Sequence, residues 1–577
     1  MRAPVKPVSH SGAFRLMAAA ALLCLPLAAP SWARTSPPAS ATLTPEADLP
    51  LDPRFSADRV KADVTFLADD LLEGRDTGSR GHEIAARYVA QRFAALGLTP
   101  MGDAGGWMQQ VVFQKTERLD APSGVTVDGP SGSATFRHGV AALVSTNANE
   151  AKLDVAAPLV FVGYGMVDKR LGLDDYAGLD VRGKIVVALR GFPADLPADP
   201  GAYLVNARNE IAQAHGAIGV IQIDTVASAR QRPWDRRLLY AAQPAFTWVG
   251  PDGKPFDETP GIRAAASLDS EGAAALFAGA PRSLAQVLKD AARKGARPKG
   301  FALATSARIF GESRSSRVTS PNVAAMIPGG DPALAGEYVI LSAHLDHIGI
   351  SPARPDDPAD KDRINNGALD NAAGVATMLE VAHVMSADKV KPRRSVIFLA
   401  TTGEEKGLLG ADYYARHASV PATRIVGNVD LDMPVLTYAF TDLTAYGADH
   451  STLGALTAAA IAPMRLTVAP DPIPEETVFV RSDHYMFVKQ GVPAVFLATG
   501  FGNGGEAAYR YFDEHFYHQP GDDLHQPINW RAGARFAEAN YRITRAMADG
   551  DTPPRWIRGD FFGDLFAPNA PKANPPR

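Results

Sequence analysis

Hydrophobic and polar positions in the second half of the chain follow a repeated order of strand, loop and helix. Apolar strands such as "EYVILSAH" and "RRSVIFLATT" are each followed by helical segments such as "DNAAGVATMLEVAHVM". Strands joined by helices are covered on both faces, so they appear as nearly continuous apolar runs. The pattern therefore predicts an α/β fold with a mixed, mostly parallel central sheet flanked by helices.

The hydrophobic pattern changes twice along the chain. Residues 54–119 contain a segment with apolar residues at helical spacing, "HEIAARYVAQRFAALGL". Residues 120–305 instead carry short β-type runs such as "APLVFVGYGM" and "GKIVVALRG", and residues 306–548 return to the α/β order. We therefore predict one domain, formed by 54–119 and 306–548, that is interrupted by an inserted β-rich domain.

Both ends of the chain differ from these domains. Residues 1–33 combine three basic residues, the apolar run "LMAAAALLCLPLAA" and the small-residue sequence "SWA", which predicts a signal peptide and a periplasmic or secreted protein. Residues 34–53 are predicted to be a disordered leader, and the Pro-rich residues 549–577 a loose tail. Because no later apolar run reaches about 18 residues, we expect no stable membrane span after the signal is removed.

Composition excludes several classes of function. The chain is 46% hydrophobic and has a net charge of -5, which is typical of a soluble globular protein without a nucleic-acid partner. Its single cysteine, Cys24, lies inside the predicted signal peptide. The mature chain would therefore have no disulfide, no cysteine nucleophile and no thiolate metal ligand.

Imidazole and carboxylate side chains gather at the predicted strand ends and in the loops that follow, where α/β sheets bind their ligands. These residues are His344, Asp346, His347, Asp370, Glu404, Glu405, Asp432 and His518. Imidazole and carboxylate without thiolate suit zinc and similar divalent ions, and two imidazoles with three carboxylates can hold two ions if one carboxylate bridges them. A water shared by two ions also needs a free base beside it, which gives a reason for the adjacent pair Glu404 and Glu405.

Five motifs carry a resemblance to a known family. "SAHLDH", "GALDNAAG", "TTGEEKGLLGA", "NVDLDM" and "YHQPGD" occur in the order and approximate spacing of metallopeptidase family 28. That family of zinc exopeptidases includes bacterial leucyl aminopeptidases and glutamate carboxypeptidase II. The chain resembles it from about Ala57 to Ala548, and the inserted domain resembles the protease-associated domain that many members carry.

The resemblance implies a role for each ligand. His344 and Asp432 would hold one zinc ion, Glu405 and His518 the other, and Asp370 would bridge the two. The resemblance thus implies two zinc ions as cofactors, with other divalent metals as an alternative.

Further roles also come from the resemblance. Glu404 would be the general base, Asp346 would orient the imidazole of His344, and Tyr517 would steady the tetrahedral intermediate. The peptide bond Asp370–Asn371 is expected to be cis.

The sequence departs from the family at one position near the site, and one further motif is similar to a family segment at the substrate cleft. His347 stands where many members have serine, and we expect it to pack at the strand end or to support a ligand. "RSDHYMF", which contains Asp483 and His484, resembles a family segment that lines the substrate cleft, and the resemblance implies that Asp483 or His484 touches substrate.

These observations predict an exported di-zinc aminopeptidase that hydrolyses the amino-terminal residue of peptides. A carboxypeptidase or dipeptidase of the same family is the alternative, because "YRYFDEHFYH" places both charge signs near the site. A glutaminyl cyclase is disfavoured, since that branch works with one zinc ion. A non-catalytic, receptor-like binding protein is the alternative from another class.

Overall fold

The computed structural model describes residues 43–353, 357–358 and 360–576. The predicted signal peptide and residues 34–42 of the predicted leader lie outside the described residues. In the described ranges, none of the helices combines the length and the apolar character that crossing a membrane requires.

Two β-sheets share one long strand and are covered by helices, and β7 and β8 form a separate two-stranded sheet. The strands are β1 (Thr99–Pro100), β2 (Met108–Arg118), β3 (Gly124–Gly129), β4 (Gly132–Arg137), β5 (Ala142–Val144), β6 (Lys152–Phe161), β7 (Val167–Asp168), β8 (Leu173–Asp174), β9 (Ile185–Leu189), β10 (Gly219–Ile223), β11 (Ala245–Trp248), β12 (Ala264–Leu268), β13 (Phe301–Ile327), β14 (Tyr338–His344), β15 (Ser395–Thr401), β16 (Ile425–Leu431), β17 (Asp442–Tyr446), β18 (Thr467–Ala469) and β19 (Ala494–Thr499). The α-helices are α1 (Ala57–Leu67), α2 (Arg80–Ala95), α3 (Ala198–Asn206), α4 (Arg208–Ala214), α5 (Val226–Gln231), α6 (Trp234–Leu238), α7 (Ser270–Leu276), α8 (Leu284–Ala291), α9 (Ala373–Ser386), α10 (Leu409–Arg416), α11 (Leu453–Ile461), α12 (His484–Lys489), α13 (Gly505–His515), α14 (Trp530–Asp549) and α15 (Phe561–Phe566).

The central sheet has a parallel centre that joins its outer strands through antiparallel pairings, as expected for the predicted mixed, mostly parallel sheet. Its strand order is β11-β2-β13-β15-β14-β16-β19-β17-β18, with β15, β14, β16 and β19 parallel to one another. The side chains of alternate residues in one strand point to opposite faces of the sheet. Val339 and Leu341 pack into the hydrophobic core under α1, α2, α9 and α14, whereas Ile340 packs under α10, α12 and α15.

The second sheet lies within the predicted insertion. Its order is β4-β3-β13-β6-β9-β10-β12-β5, and the buried residues of its core lie between Val125 and Ile309. Strand β13 pairs with β3 and β6 in its first part and with β2 and β15 in its second part. The described structure therefore has a separate hydrophobic core over this segment. Its assignment as a protease-associated domain stays a prediction.

Described residues near both ends of the chain, which were predicted to be disordered or loose, are buried against the rest of the structure. In the tail 549–577, Trp556 and Phe562 are buried in the same core as Ile340, and the Trp556 Nε1 donates to the Gly491 carbonyl at 2.8 Å. In the leader, Leu49 is buried. The proline content that suggested disorder is outweighed here because large aromatic side chains bury much apolar surface.

His450 joins the inserted segment, the central domain and the C-terminal segment. Its Nδ1 lies 2.6 Å from the Asp560 carboxylate, beside α15, and its Nε2 lies 3.2 Å from the Asp199 carboxylate in α3. Burial lowers the pKa of His450, but the two carboxylates outweigh burial and raise the pKa to about 9. The charged imidazolium therefore stabilises the contact between the three segments.

This contact predicts a pH-dependent stability. Because the pKa of His450 is higher in the folded chain than its ordinary value of about 6.5, its stabilisation is complete below about pH 6.5 and is lost as the pH rises through about 9. We expect His450→Gln to lower the free energy of unfolding most at about pH 6 and least at about pH 10, measured by chemical denaturation. His525→Gln, at an exposed histidine, is the control. An equal effect of His450→Gln at both pH values would contradict this prediction.

Candidate metal centre

The ends of three parallel strands and two loops meet at one edge of the central sheet. His344 is the last residue of β14, Asp432 follows the last residue of β16, and Glu405 lies in the turn that follows β15. Asp370 lies in the turn before α9, and His518 follows α13. Carboxyl ends of neighbouring parallel strands open on the same side, which explains why residues distant in sequence lie together.

The five predicted ligands form two sets that share Asp370. The Nε2 of His344 lies 2.9 Å from Asp432 Oδ1 and 3.2 Å from Asp370 Oδ1. The Nε2 of His518 lies 3.3 Å from Asp370 Oδ2 and 3.2 Å from Glu405 Oε2. Two ligand atoms on one tetrahedral zinc ion stand roughly 3.3 Å apart. The spacing of these side chains therefore fits two ions, with one Asp370 oxygen facing each imidazole.

His347 adds a third imidazole beside this set. Its Nδ1 lies 2.7 Å from Glu405 Oε1 and 3.9 Å from Asp370 Oδ2, so these three residues could also hold an ion. Its Nε2 is buried and has no hydrogen-bond partner among the described residues. Glu405 thus has an imidazole on each oxygen, His347 on one and His518 on the other.

The two adjacent glutamates lie in opposite electrostatic environments. Burial raises the pKa of Glu404 well above its ordinary value; His344 offsets part of this, whereas the Asp432 and Glu405 carboxylates add to it. Burial also acts to raise the pKa of Glu405, but its imidazole neighbours, His518 foremost, lower it to about 2. The imidazole neighbours therefore hold the pKa of Glu405 low, while burial and the neighbouring carboxylates hold the pKa of Glu404 high.

The contact predicted between Asp346 and His344 is made by a different atom. His344 Nδ1 lies 3.0 Å from the backbone carbonyl oxygen of Asp346, not from its carboxylate. The carboxylate instead accepts from Thr77 Oγ1 at 2.8 Å and from the backbone N–H of Glu404 at 3.1 Å. The main chain orients the imidazole, and the Asp346 side chain holds the turn that carries Glu404.

Tyr517 lies against a predicted ligand. Its ring stacks on the imidazole of His518 with the centroids 4.0 Å apart.

The peptide bond Asp370–Asn371 is cis, as predicted. The Asn371 side chain donates to the Leu431 carbonyl at 2.8 Å and accepts from the Met433 N–H at 3.2 Å, which ties the Asp370 turn to the end of β16.

The prediction that Asp483 and His484 line the substrate cleft is wrong for this structure. Both residues are buried, and the Asp483 carboxylate accepts from the hydroxyl of Thr401. The backbone N–H of His484 donates to Asp430 Oδ2 at 3.3 Å. These residues belong to a polar network inside the domain, beneath the sheet edge.

Asp522, which was not among the residues predicted from the sequence, supports the shared carboxylate. Its side chain is fully buried and accepts from the backbone N–H groups of Leu369 at 2.9 Å and Asp370 at 3.0 Å. Gln526 Nε2 donates to the same carboxylate at 2.6 Å. The only signal was an acidic pair in "PGDDL", which is usually typical of a solvated turn.

We predict that Asp522 stabilises the turn before α9 independently of any metal. Asp522→Ala leaves two buried backbone N–H groups without an acceptor, so the free energy of unfolding in the presence of a chelator should fall by about 2 kcal/mol or more. Asp523→Ala, at the adjacent and more exposed carboxylate, is the matched control and should change it by less than about 0.5 kcal/mol. Similar losses in the two variants would contradict the assigned role.

Comparison with known proteins finds similarity over the segment that carries these residues. Residues 322–544 match the model of "Peptidase family M28". The chain is 27% identical over 256 residues to a "probable leucine aminopeptidase 2" of Aspergillus oryzae, covering 40% of this chain and 47% of that protein. It is 33% identical over 96 residues to a "Probable zinc metalloprotease" of Pyrenophora tritici-repentis, covering 17% and 20%. The chain therefore spans from a fifth to about half the length of these curated relatives.

Among solved structures, the chain is similar to "Aminopeptidase from Aneurinibacillus sp. strain AM-1". The identity is 24%, the alignment covers 85% of this chain and 93% of that chain, and the TM-score is 0.47.

Proposed function

We propose that this chain, whose residues 322–544 match the model of peptidase family M28, is an exported zinc aminopeptidase. The reaction is hydrolysis of the peptide bond after the amino-terminal residue of a peptide. The observation that carries the proposal is the pair of imidazole and carboxylate sets that share Asp370.

The donor chemistry supports two zinc ions. His344 and Asp432 would hold one ion, Glu405 and His518 the other, and Asp370 both. We choose His518 over His347 because its nitrogen lies 3.3 Å from Asp370 Oδ2, against 3.9 Å for His347. His347 then orients Glu405 through the oxygen that faces away from His518.

Several buried carboxylates at one point repel each other, which further favours cations there. Asp370 and Asp432 are buried and Glu404 and Glu405 are partly buried at the same sheet edge, and burial raises the pKa of Glu404 and of Asp432. When bound, two zinc ions would relieve this repulsion, lower the pKa of a shared water and polarise the substrate carbonyl.

The chain's own residues would then move the proton and steady the charge. Glu404 contributes no contact to either ligand set, so its carboxylate is free to take a proton from the attacking water and to return it to the leaving amine. Tyr517, stacked on His518, would donate to the oxyanion of the tetrahedral intermediate. Asp346, through the Glu404 N–H, keeps the base in place.

The name of one curated relative, "probable leucine aminopeptidase 2" of Aspergillus oryzae, favours the amino-terminal end of a peptide over the carboxy-terminal end. A carboxypeptidase or dipeptidase is the second candidate. A receptor-like protein without activity is disfavoured by the complete set of ligands and base. Export rests on the predicted signal peptide over residues 1–33.

Because the two glutamates have different proposed roles, substitution of Glu404 should cost turnover and substitution of Glu405 should cost a metal ion. Glu404→Gln removes the base but no ligand, so turnover should fall by at least about 100-fold while two zinc ions per chain are retained. Glu405→Gln is the matched variant at the next residue and should lose one ion. Metal analysis beside peptide hydrolysis measures both. Loss of an ion in Glu404→Gln would reverse the assignment.

Blocked peptides test which end is recognised. A site that binds the free α-amine should reject an N-acetylated peptide by at least about 100-fold in kcat/KM, because its polar groups are left unpaired. Amidation of the carboxy terminus of the same peptide should have little effect. Cleavage that survives N-acetylation and is lost on C-amidation would instead support the carboxypeptidase.

A further inference from the structure

The loop that follows α1 packs against the turns at residues 349 and 365, close to the metal centre. Glu73, Gly74 and Arg75 have φ values of 50°, 69° and 50°, three successive residues in the left-handed region. A Cβ on Gly74 would lie 2.5 Å from the Asn365 carbonyl oxygen and 2.7 Å from that of Gly349. Only glycine allows this approach, so the loop is fitted closely to the turns at residues 349 and 365.

The guanidinium of Arg75 reaches into this contact and is almost fully buried, with 1% of the residue exposed. Its Nε donates to the Leu345 carbonyl at 2.9 Å, its Nη1 to the Asn366 carbonyl at 2.5 Å and its Nη2 to the Gly367 carbonyl at 3.1 Å. The same Nη1 contacts the Leu67 carbonyl at the end of α1. All of these acceptors are main-chain atoms, so the side chain fixes backbone positions.

These carbonyls belong to the two segments that carry the ligands. Leu345 directly follows His344, and Gly367 lies three residues before Asp370. The carbonyl of Arg75 itself accepts from the N–H of His347 at 3.3 Å. One residue therefore contacts both the end of β14 and the turn before α9.

We propose that Arg75 is a positioning residue that sets the separation between His344 and Asp370, and thereby the affinity of the centre for its metal ions. The inference rests on the proposed function, because it assumes that these residues bind metal. A planar guanidinium has donors in a fixed fork and can hold several carbonyls at defined distances. A lysine ammonium keeps the charge but concentrates its donors on one atom, so it cannot hold both segments in the same way.

The charge of Arg75 has a second, weaker effect on the same centre. The Asp522, Asp370, Asp346 and Glu405 carboxylates lie close enough to favour the charged guanidinium, although burial lowers the pKa of Arg75 to about 10. A test must therefore separate position from charge, which Arg75→Lys does.

The experiment measures zinc affinity of the metal-free protein by competition with a chromophoric chelator. We expect Arg75→Lys to bind zinc about 10–100-fold more weakly than the wild type, the usual effect of losing a group that orients ligands. Peptide hydrolysis at saturating zinc should recover most of its rate. Arg75→Gln, which also removes the charge, is the second variant and should bind at least as weakly as Arg75→Lys.

Arg208 offers a matched control in the second sheet. It is equally buried, and its guanidinium donates to the carbonyls of Tyr164 at 2.9 Å and Leu189 at 3.1 Å. Arg208→Lys should lower the thermal unfolding temperature as much as Arg75→Lys but leave zinc affinity unchanged.

The outcomes distinguish the inference from its premise. Wild-type zinc affinity in Arg75→Lys or Arg75→Gln would overturn the positioning role. An equal loss of affinity in Arg208→Lys would also overturn it, since general destabilisation would then explain the effect. If the wild type binds no zinc, the proposed function fails instead.

Discussion

Repulsion between buried carboxylates is the constraint around which the centre is built. Asp370, Glu404, Glu405 and Asp432 lie at one sheet edge, and such groups are stable together only where positive charge or hydrogen-bond donors surround them. His344, His347 and His518 supply part of this compensation. The backbone N–H groups and the buried guanidinium nearby hold the geometry. The arrangement is costly for a purely structural region and well suited to holding dications.

The supporting contacts come from distant parts of the sequence. Thr77 and Arg75 belong to the loops between α1 and α2, Asn371 to the turn before α9, and Asp522 to the segment after α13. Each fixes a main-chain position or a carboxylate rather than touching substrate. Through these contacts, segments outside the parallel strands hold the turn that carries Asp370 against the ends of β14 and β16.

Much of this arrangement could be predicted from the sequence, and the remainder depended on tertiary packing. Continuous apolar strands such as β15 have to be buried on both faces, and parallel strand ends meet at one edge, so the gathering of His344, Asp370 and Asp432 follows from order alone. The orientation of His344 by a carbonyl rather than by the Asp346 carboxylate could not be predicted, because residue order does not say which oxygen faces the ring. Asp483 and His484 were misplaced for a similar reason, since a polar motif does not reveal that it turns inward.

The long strand β13 has a consequence for how the chain acquired its second sheet. Ser313 in β13 lies opposite Arg118 in β2, so the segment between them, which adds the edge strand β11 to the central sheet, begins and ends at neighbouring points of one antiparallel ladder. Two backbone positions so close can be joined by a short hairpin turn. Gain or loss of the whole intervening segment during evolution therefore needs no rerouting of the strands that carry the metal centre. The segment between Arg118 and Ser313 can therefore be inserted or removed at this ladder as one unit.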